Sequence, residues 1–287
     1  MGGGLSYGLK LVSRNPLTLV GLTGVLVLGL IAAVAPWIVP YPQDCRGATD
    51  VGEQFQPPSL SHLFGTDELG RDVFSRVIYG ARISLVVGML TIGLALAIGV
   101  PLGVIAGYSG GVVDEVIMRV TDTFLSFPSL LLAMAISAML GPNLRNAMVA
   151  IAISWWPWYT RLLRGEAISV KEREYVTAAR AMGASWLRVV FRHVLPNSMV
   201  PVIIQASMDF GGVILTCASL SFLGLGAQPP IPEWGLMISS GRTFFLTSWW
   251  IVTFPGIAIF LAVLSFNLLG DGLRELLDPK VRRRILM

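Results

Sequence analysis

The sequence predicts an all-α membrane protein with six transmembrane helices, both termini cytoplasmic, and a cytoplasmic amphipathic helix between spans four and five. Three observations carry this reading. Of 287 residues, 54% are hydrophobic and only 13% charged, whereas a soluble domain uses about 25% charge. Uncharged apolar runs recur at lengths near the ~20 helical residues that cross a hydrocarbon core. Lys and Arg are also shared unequally between the segments joining those runs, which sets orientation.

Each element follows in turn. Residues 17–39 form the first span. Lys10 and Arg14 precede it as in a signal peptide, but a usual apolar region there is about 7–15 residues, and Pro40 and Pro42 follow instead of a small-residue cleavage site. The run is therefore read as retained. Residues 40–82 are an outer-side loop, whose Pro40, Pro42, Pro57 and Pro58 argue for irregular backbone. Its DELGRD core, with Asp67, Glu68, Arg71 and Asp72, mixes signs closely, as a solvated loop capped onto the next helix would. Residues 83–270 form a core of spans two to six: 83–107, 117–140, 146–163, 199–224 and 247–269. Gly88, Gly93, Gly99, Gly103 and Gly107 favour close packing around span two. Span four is short before Arg161, and its WWPWY reads as an aromatic belt or a kinked helix. Between spans five and six, QPPIPEWG, with Glu233 and Trp234, opposes a continuous helix and reads as an outer sealing or docking turn. Residues 1–16 and the basic tail 271–287 are cytoplasmic.

With both ends inside, fifteen of the 21 Lys and Arg lie on the inner side and six on the outer. Nine acids lie inside and seven outside, and Asp209 falls within span five, so the net charge is +6 inside and −1 outside. The tail KVRRR fits an orientation signal or contact with lipid headgroups rather than nucleic acid.

The segment 176–196 interrupts the apolar pattern. Val176, Ala179, Gly183, Trp186, Leu187, Val190, Phe191 and Val194 lay one stripe along a 3.6-residue period. Gly183 in a helix interior costs roughly 1 kcal/mol, and its expected use is steric, admitting a close neighbour. Pro196 is expected to interrupt the helix. Periodicity is equally consistent with a helix lying on the bilayer and with one docked in a partner's groove.

The chain carries no GxxxxGK[ST], HExxH or GxSxG motif, and the N-terminal GGG lacks the lysine and hydroxyl of a phosphate loop. His62 and His193 have no neighbouring ligand series, and Cys45 and Cys217 make neither a disulfide framework nor a zinc site. No catalytic and no metal site is read. Cys45 is a lone thiol or carries a bond to a partner.

Within 176–196, Ala178, Ala179, Gly183, Leu195 and Pro196 resemble the EAA motif of permease subunits of ABC importers. Thr177 stands where that family often has an acid. The stretch HLFGTDELGRDVFSRVIYGARISL, 62–85, and ASLSFLGLGAQPPIPEWGLMISSGR, 218–242, look like segments of the C-type permeases for dipeptides, oligopeptides and nickel. Cys217 stands where such chains commonly have glutamate.

The resemblance implies a multi-pass subunit of a bacterial inner-membrane importer that moves dipeptides or short oligopeptides into the cytoplasm. Its implied partners are a related B-type permease, two cytoplasmic ABC ATPase subunits that bind and use ATP and Mg, an extracytoplasmic solute-binding protein, the peptide and the lipid bilayer. Ala178, Ala179, Gly183, Trp186, Leu187, Leu195 and Pro196 would couple to the ATPase. Asp67, Glu68, Arg71, Asp72, Glu233 and Trp234 would serve outer-side docking or gating. Asp209 is expensive within a span; it would contact a peptide's amino group in the translocation path, pair with a polar group inside the bilayer, or lie nearer an interface. A nickel or chelated-metal importer is the alternative within the family. A proton-coupled secondary transporter is the alternative outside it, with Asp209 and His193 as its few candidate relay groups.

Overall fold

The computed structural model describes residues 16–277, with side chains through residue 275; Lys10, Arg14 and the KVRRR tail lie outside them. The described chain is helical throughout its regular elements: α1 (Pro16–Ile38), α2 (Val73–Ser109), α3 (Gly111–Leu125), α4 (Ser129–Leu140), α5 (Leu144–Lys171), α6 (Glu174–Ala181), α7 (Trp186–Val189), α8 (Leu195–Phe222), α9 (Trp234–Gly241) and α10 (Trp250–Leu277). Four stretches among the described residues are long and apolar enough to cross a membrane: α1, α2, the run Trp186–Phe222, and Trp250–Glu275. A fifth is the pair α3 and α4, if that pair is one broken span.

Several boundaries depart from the sequence expectation. The third span was expected over 117–140, and there α3 and α4 meet at 87°. Pro128 heads α4 in an extended conformation, φ −57° and ψ 124°, and its ring disfavours helical backbone at Phe127. Helix α5, expected as the fourth span, has the length but not the apolarity: Arg145, Arg161, Arg164, Glu166 and Lys171 share it with the WWPWY aromatics. It forms the buried centre of the fold, with Ile151, Tyr159, Leu163, Ala167 and Val170 inaccessible to solvent. Helix α2 begins ten residues before the expected start of span two, because Asp72 accepts a 2.7 Å bond from the Ser75 N–H and caps it.

The packing of α2 on α5 explains a stripe of glycines. A Cβ on Gly99, Gly103 or Gly107 would stand 2.7, 2.7 or 2.6 Å from the carbonyl oxygens of Trp156, Thr160 and Arg164 respectively. These spacings of four residues put three hydrogens where side chains would force the helices apart, as small residues do in membranes. Gly93, off this stripe, has nothing within 4 Å.

Three apolar clusters fill the interior. One joins α1, α2, α8, α9 and α10 around Trp234, Ile251 and Phe266. A second joins α2, α5 and α8 to Val176, Val189, Val190 and Val194. A third contains Val87, Ile151, Val213 and Leu220.

Candidate functional site

Three places hold the residues singled out by the sequence: an outer cap, an inner arm and a cleft between α5 and α8. The cap is built from residues 39–72 and from the segment before α9. Asp67, Arg71, Asp72, Glu233 and Trp234 are each at most 6% exposed, so these side chains are turned into the cap. Arg71 Nε donates to Asp67 at 2.7 Å and its Nη2 reaches Glu68 at 3.3 Å. His62 Nδ1 lies 2.9 Å from Asp72, and Asp44 accepts from the Asp72 N–H at 2.8 Å. The network is closed by the Arg76 guanidinium, which donates to the Asp44 carbonyl at 2.9 Å. DELGRD is thus a packed ion cluster, not a solvated loop.

Two tryptophans fasten this cap to the bundle. Trp234 Nε1 donates to the Val77 carbonyl at 2.9 Å and Trp250 Nε1 to that of Thr66 at 3.0 Å. Glu233 caps α9 through the N–H groups of Gly235 and Leu236, at 3.0 and 2.9 Å. Burial pushes its carboxyl above the ordinary range, and those two donors oppose the shift.

Cys45 is 6% exposed within the cap, and burial pushes its thiol up to about 11. It is buried as a free thiol. A membrane-impermeant maleimide applied to the folded protein will leave Cys45 unmodified, and unfolding in detergent with denaturant will expose it to complete labelling; rapid labelling before unfolding would contradict this burial.

The inner arm differs from the single helix expected. Helix α6 ends at Met182, and Gly183 follows with φ +82°. The Gly183 N–H bonds to the Arg180 carbonyl at 2.9 Å and the Ala184 N–H to that of Ala179 at 3.1 Å. This pairing is the Schellman end of a helix, in which a left-handed residue lets the chain satisfy its last carbonyls. Gly183 is therefore a turn residue, and its requirement is conformational; no atom lies within 4 Å of a built Cβ.

Beyond the turn, helical backbone runs unbroken through Pro196. Residues Val190–Val194 adopt a π-helical turn, and the Leu195 N–H reaches back five residues to Val190. The widened turn accommodates Pro196, which lacks an N–H and would otherwise crowd the preceding carbonyls. The expected interruption at Pro196 becomes a local widening.

The single apolar stripe also divides. Val176, Ala179, Val190 and Val194, with Val189, are buried against the bundle. Trp186, Leu187 and Phe191 are 43, 60 and 63% exposed, and Met182 is 83% exposed. Ala178, Gly183 and Pro196 share the exposed side, while Leu195 is half-buried. The change of direction at Gly183 separates the two faces. The arm is held from within: the Arg180 guanidinium sits 4.9 Å over the Tyr108 ring, which meets Trp186 edge-on at 5.7 Å. Lys171 Nζ donates to the Gly107 carbonyl at 2.8 Å. Met182 was missed by the sequence reading because it was placed off the helical stripe.

The cleft between α5 and α8 contains Asp209. Its Oδ2 accepts from the Tyr159 hydroxyl at 2.8 Å and its Oδ1 from the Gln205 amide at 2.8 Å. Ser129, Trp155, Trp158, Arg161 and Leu162 complete the lining. Gln205, four residues before Asp209, was legible as a same-face neighbour; Tyr159, fifty positions away, had no local signal. Two ion pairs tie α3 to α5, Arg161 with Asp122 and Arg164 with Asp114.

Bent, apolar helices thus enclose a cleft faced by a carboxyl group, and an exposed apolar face is raised on a glycine turn. The chain belongs to the family described as the binding-protein-dependent transport system inner membrane component, which matches residues 99–283. Residues 9–58 match the N-terminal TM domain of oligopeptide transport permease C. It is thus a multi-pass ABC-importer permease subunit of a bacterial inner membrane. The dipeptide transport system permease protein DppC of Alkalihalophilus pseudofirmus is 48% identical over 273 residues, 95% of this chain and 89% of that protein. The probable D,D-dipeptide transport system permease protein DdpC of Escherichia coli K12 is 46% identical over 95% of this chain and 92% of its own length. Among solved structures, an inward-facing MetNI methionine ABC transporter shares the fold at TM-score 0.58 and 16% identity, over 71% of this chain and 98% of that chain.

Proposed function

We propose that this chain moves peptides, dipeptides or short oligopeptides, into the cytoplasm as one of two related permeases driven by two cytoplasmic ATPases and supplied by an extracytoplasmic binding protein. The peptide assignment is supported by the dipeptide permeases to which the chain is nearly half identical along almost all of its length. The division at residues 40, 83 and 271 and a six-span topology with both termini cytoplasmic belong to this reading, with the bent pair α3 and α4 as span three and α5 as span four.

The observation that carries the coupling role is the apolar face of Met182, Trp186, Leu187 and Phe191, exposed on an arm whose opposite face is buried in the same chain. An exposed patch of this kind on a soluble segment marks a contact surface. Ala178, Ala179 and Gly183 shape the turn that presents it, and Leu195 and Pro196 continue it toward α8. The ionisable groups packed at Asp67, Glu68, Arg71, Asp72 and Glu233, together with Trp234, hold the outer cap that would meet the binding protein or the second permease. ATP and Mg are used in the partners.

Affinity purification of the tagged chain in mild detergent, followed by mass spectrometry and ATPase assay, tests the assembly. A second permease and P-loop ATPases are expected to co-purify, with peptide-dependent hydrolysis on addition of loaded binding protein. Isolation of an active transporter without any ATPase would overturn the reading.

A further inference from the structure

The cleft beside α8 holds a carboxylate without a countercharge. Both Asp209 oxygens are met by neutral donors, the Tyr159 hydroxyl and the Gln205 amide. Arg161, the one cation among the described residues lining the cleft, is committed to Asp122. A carboxylate inside a span is costly unless a cation or a water-filled path compensates it. Trp155 and Trp158 stand beside it in the lining, and indole faces attract cations within about 6 Å. The Trp155 indole N–H is itself buried with no acceptor among the described residues, an unusual state for an indole donor.

A carboxyl acceptor with no cation among the described residues committed to it, and aromatic walls, fit one chemical pattern, a primary ammonium on the cargo. That is the amino end of a peptide. We infer that Asp209 receives the α-ammonium of the peptide cargo as it crosses the bundle, with Tyr159 and Gln205 as positioning residues that aim the carboxylate. This inference rests on the importer reading above and adds to it a site of selection within the permease.

The test uses the whole importer in proteoliposomes, driven by binding protein loaded separately with a radiolabelled dipeptide. Asp209→Asn keeps shape and one acceptor for the existing donors but removes the charge. It is expected to lower peptide uptake about tenfold, the scale of one charge-assisted bond, while the second permease and the ATPases still co-purify with it. Asp209→Glu is expected to restore at least half of the uptake. Equal uptake by Asp209→Asn and the parent would overturn the inference, as would loss of the second permease from the Asn variant, which would assign the carboxylate to a neighbouring chain. A parent complex that hydrolyses ATP but moves no peptide would overturn the importer reading itself.

Discussion

Gly183→Val will reduce peptide uptake at least about tenfold, and Gly183→Asn will retain most of it. Gly183 has φ +82°, in the left-handed region, and no atom of the described residues within 4 Å of a Cβ. The cost of a side chain therefore arises in the backbone: about 1–2 kcal/mol for an ordinary L-residue and more for a β-branched one, with Asn more tolerant. Each 1.4 kcal/mol shifts the population of the native turn tenfold. Val would unseat the direction of the arm, and with it the exposed Met182, Trp186, Leu187 and Phe191. Uptake and ATP hydrolysis measured together in proteoliposomes check this, with hydrolysis no longer matched by transport. If Asn proves as damaging as Val, space against a partner rather than the left-handed turn is what the position requires. Normal uptake by Gly183→Val and by Gly183→Trp would remove the docking role from this turn.

Gly103→Leu is expected to be the most damaging single change in the membrane core. Its Cβ alone would stand 2.7 Å from the Thr160 carbonyl and 2.9 Å from Leu163 Cβ, before three further carbons are added. Overpacking of this kind costs about 1–3 kcal/mol where side chains can yield, and here backbone is the obstacle. A thermal midpoint lower by about 10 °C or more is expected, at roughly 2–4 °C per kcal/mol for a chain of this size. Gly93→Leu on the same helix, where nothing lies within 4 Å, should change the midpoint little. Equal losses from both would show that the glycine stripe is not the contact holding α2 to α5.

Local chemistry explains which features could be read in advance. The apolar runs of α1, α2, α8 and α10 declare themselves because the bilayer demands uninterrupted apolar helix. Their ends do not: Asp72 starts α2 early by capping a backbone N–H, and the cytoplasmic helix from Trp186 flows into α8 without a break in backbone. Pro128 was visible in the third apolar run, yet its presence alone does not distinguish a kink from an 87° bend; the ion pairs from Asp114 and Asp122 to α5 help hold that geometry. The glycine spacing 99, 103, 107 was visible too, but not its facing helix.

Site residues divide along the same line. Ala178, Ala179 and Gly183 were found from spacing, whereas the conformation that needs Gly183 depends on hydrogen bonds formed only at the helix end. The charges of DELGRD looked solvated because their partners, Asp44 and Arg76, lie outside the motif and the tryptophans that roof them lie far along the chain. Asp209 stood out by its charge alone, while the Tyr159 hydroxyl that orients it required the tertiary fold.

The unbroken helical run from Trp186 to Phe222 has a mechanical consequence. At 1.5 Å per residue, about 35 Å of helix separates Trp186 from Asp209. If that length turns as a rod, a tilt of about 5° at the cytoplasmic end sweeps the carboxylate through about 3 Å, comparable to one hydrogen-bond length. The π-helical turn at Val190–Val194 then acts as the compliant joint in the lever: its stiffness determines how much of the stroke delivered at Trp186 reaches the cleft and how much is lost in bending.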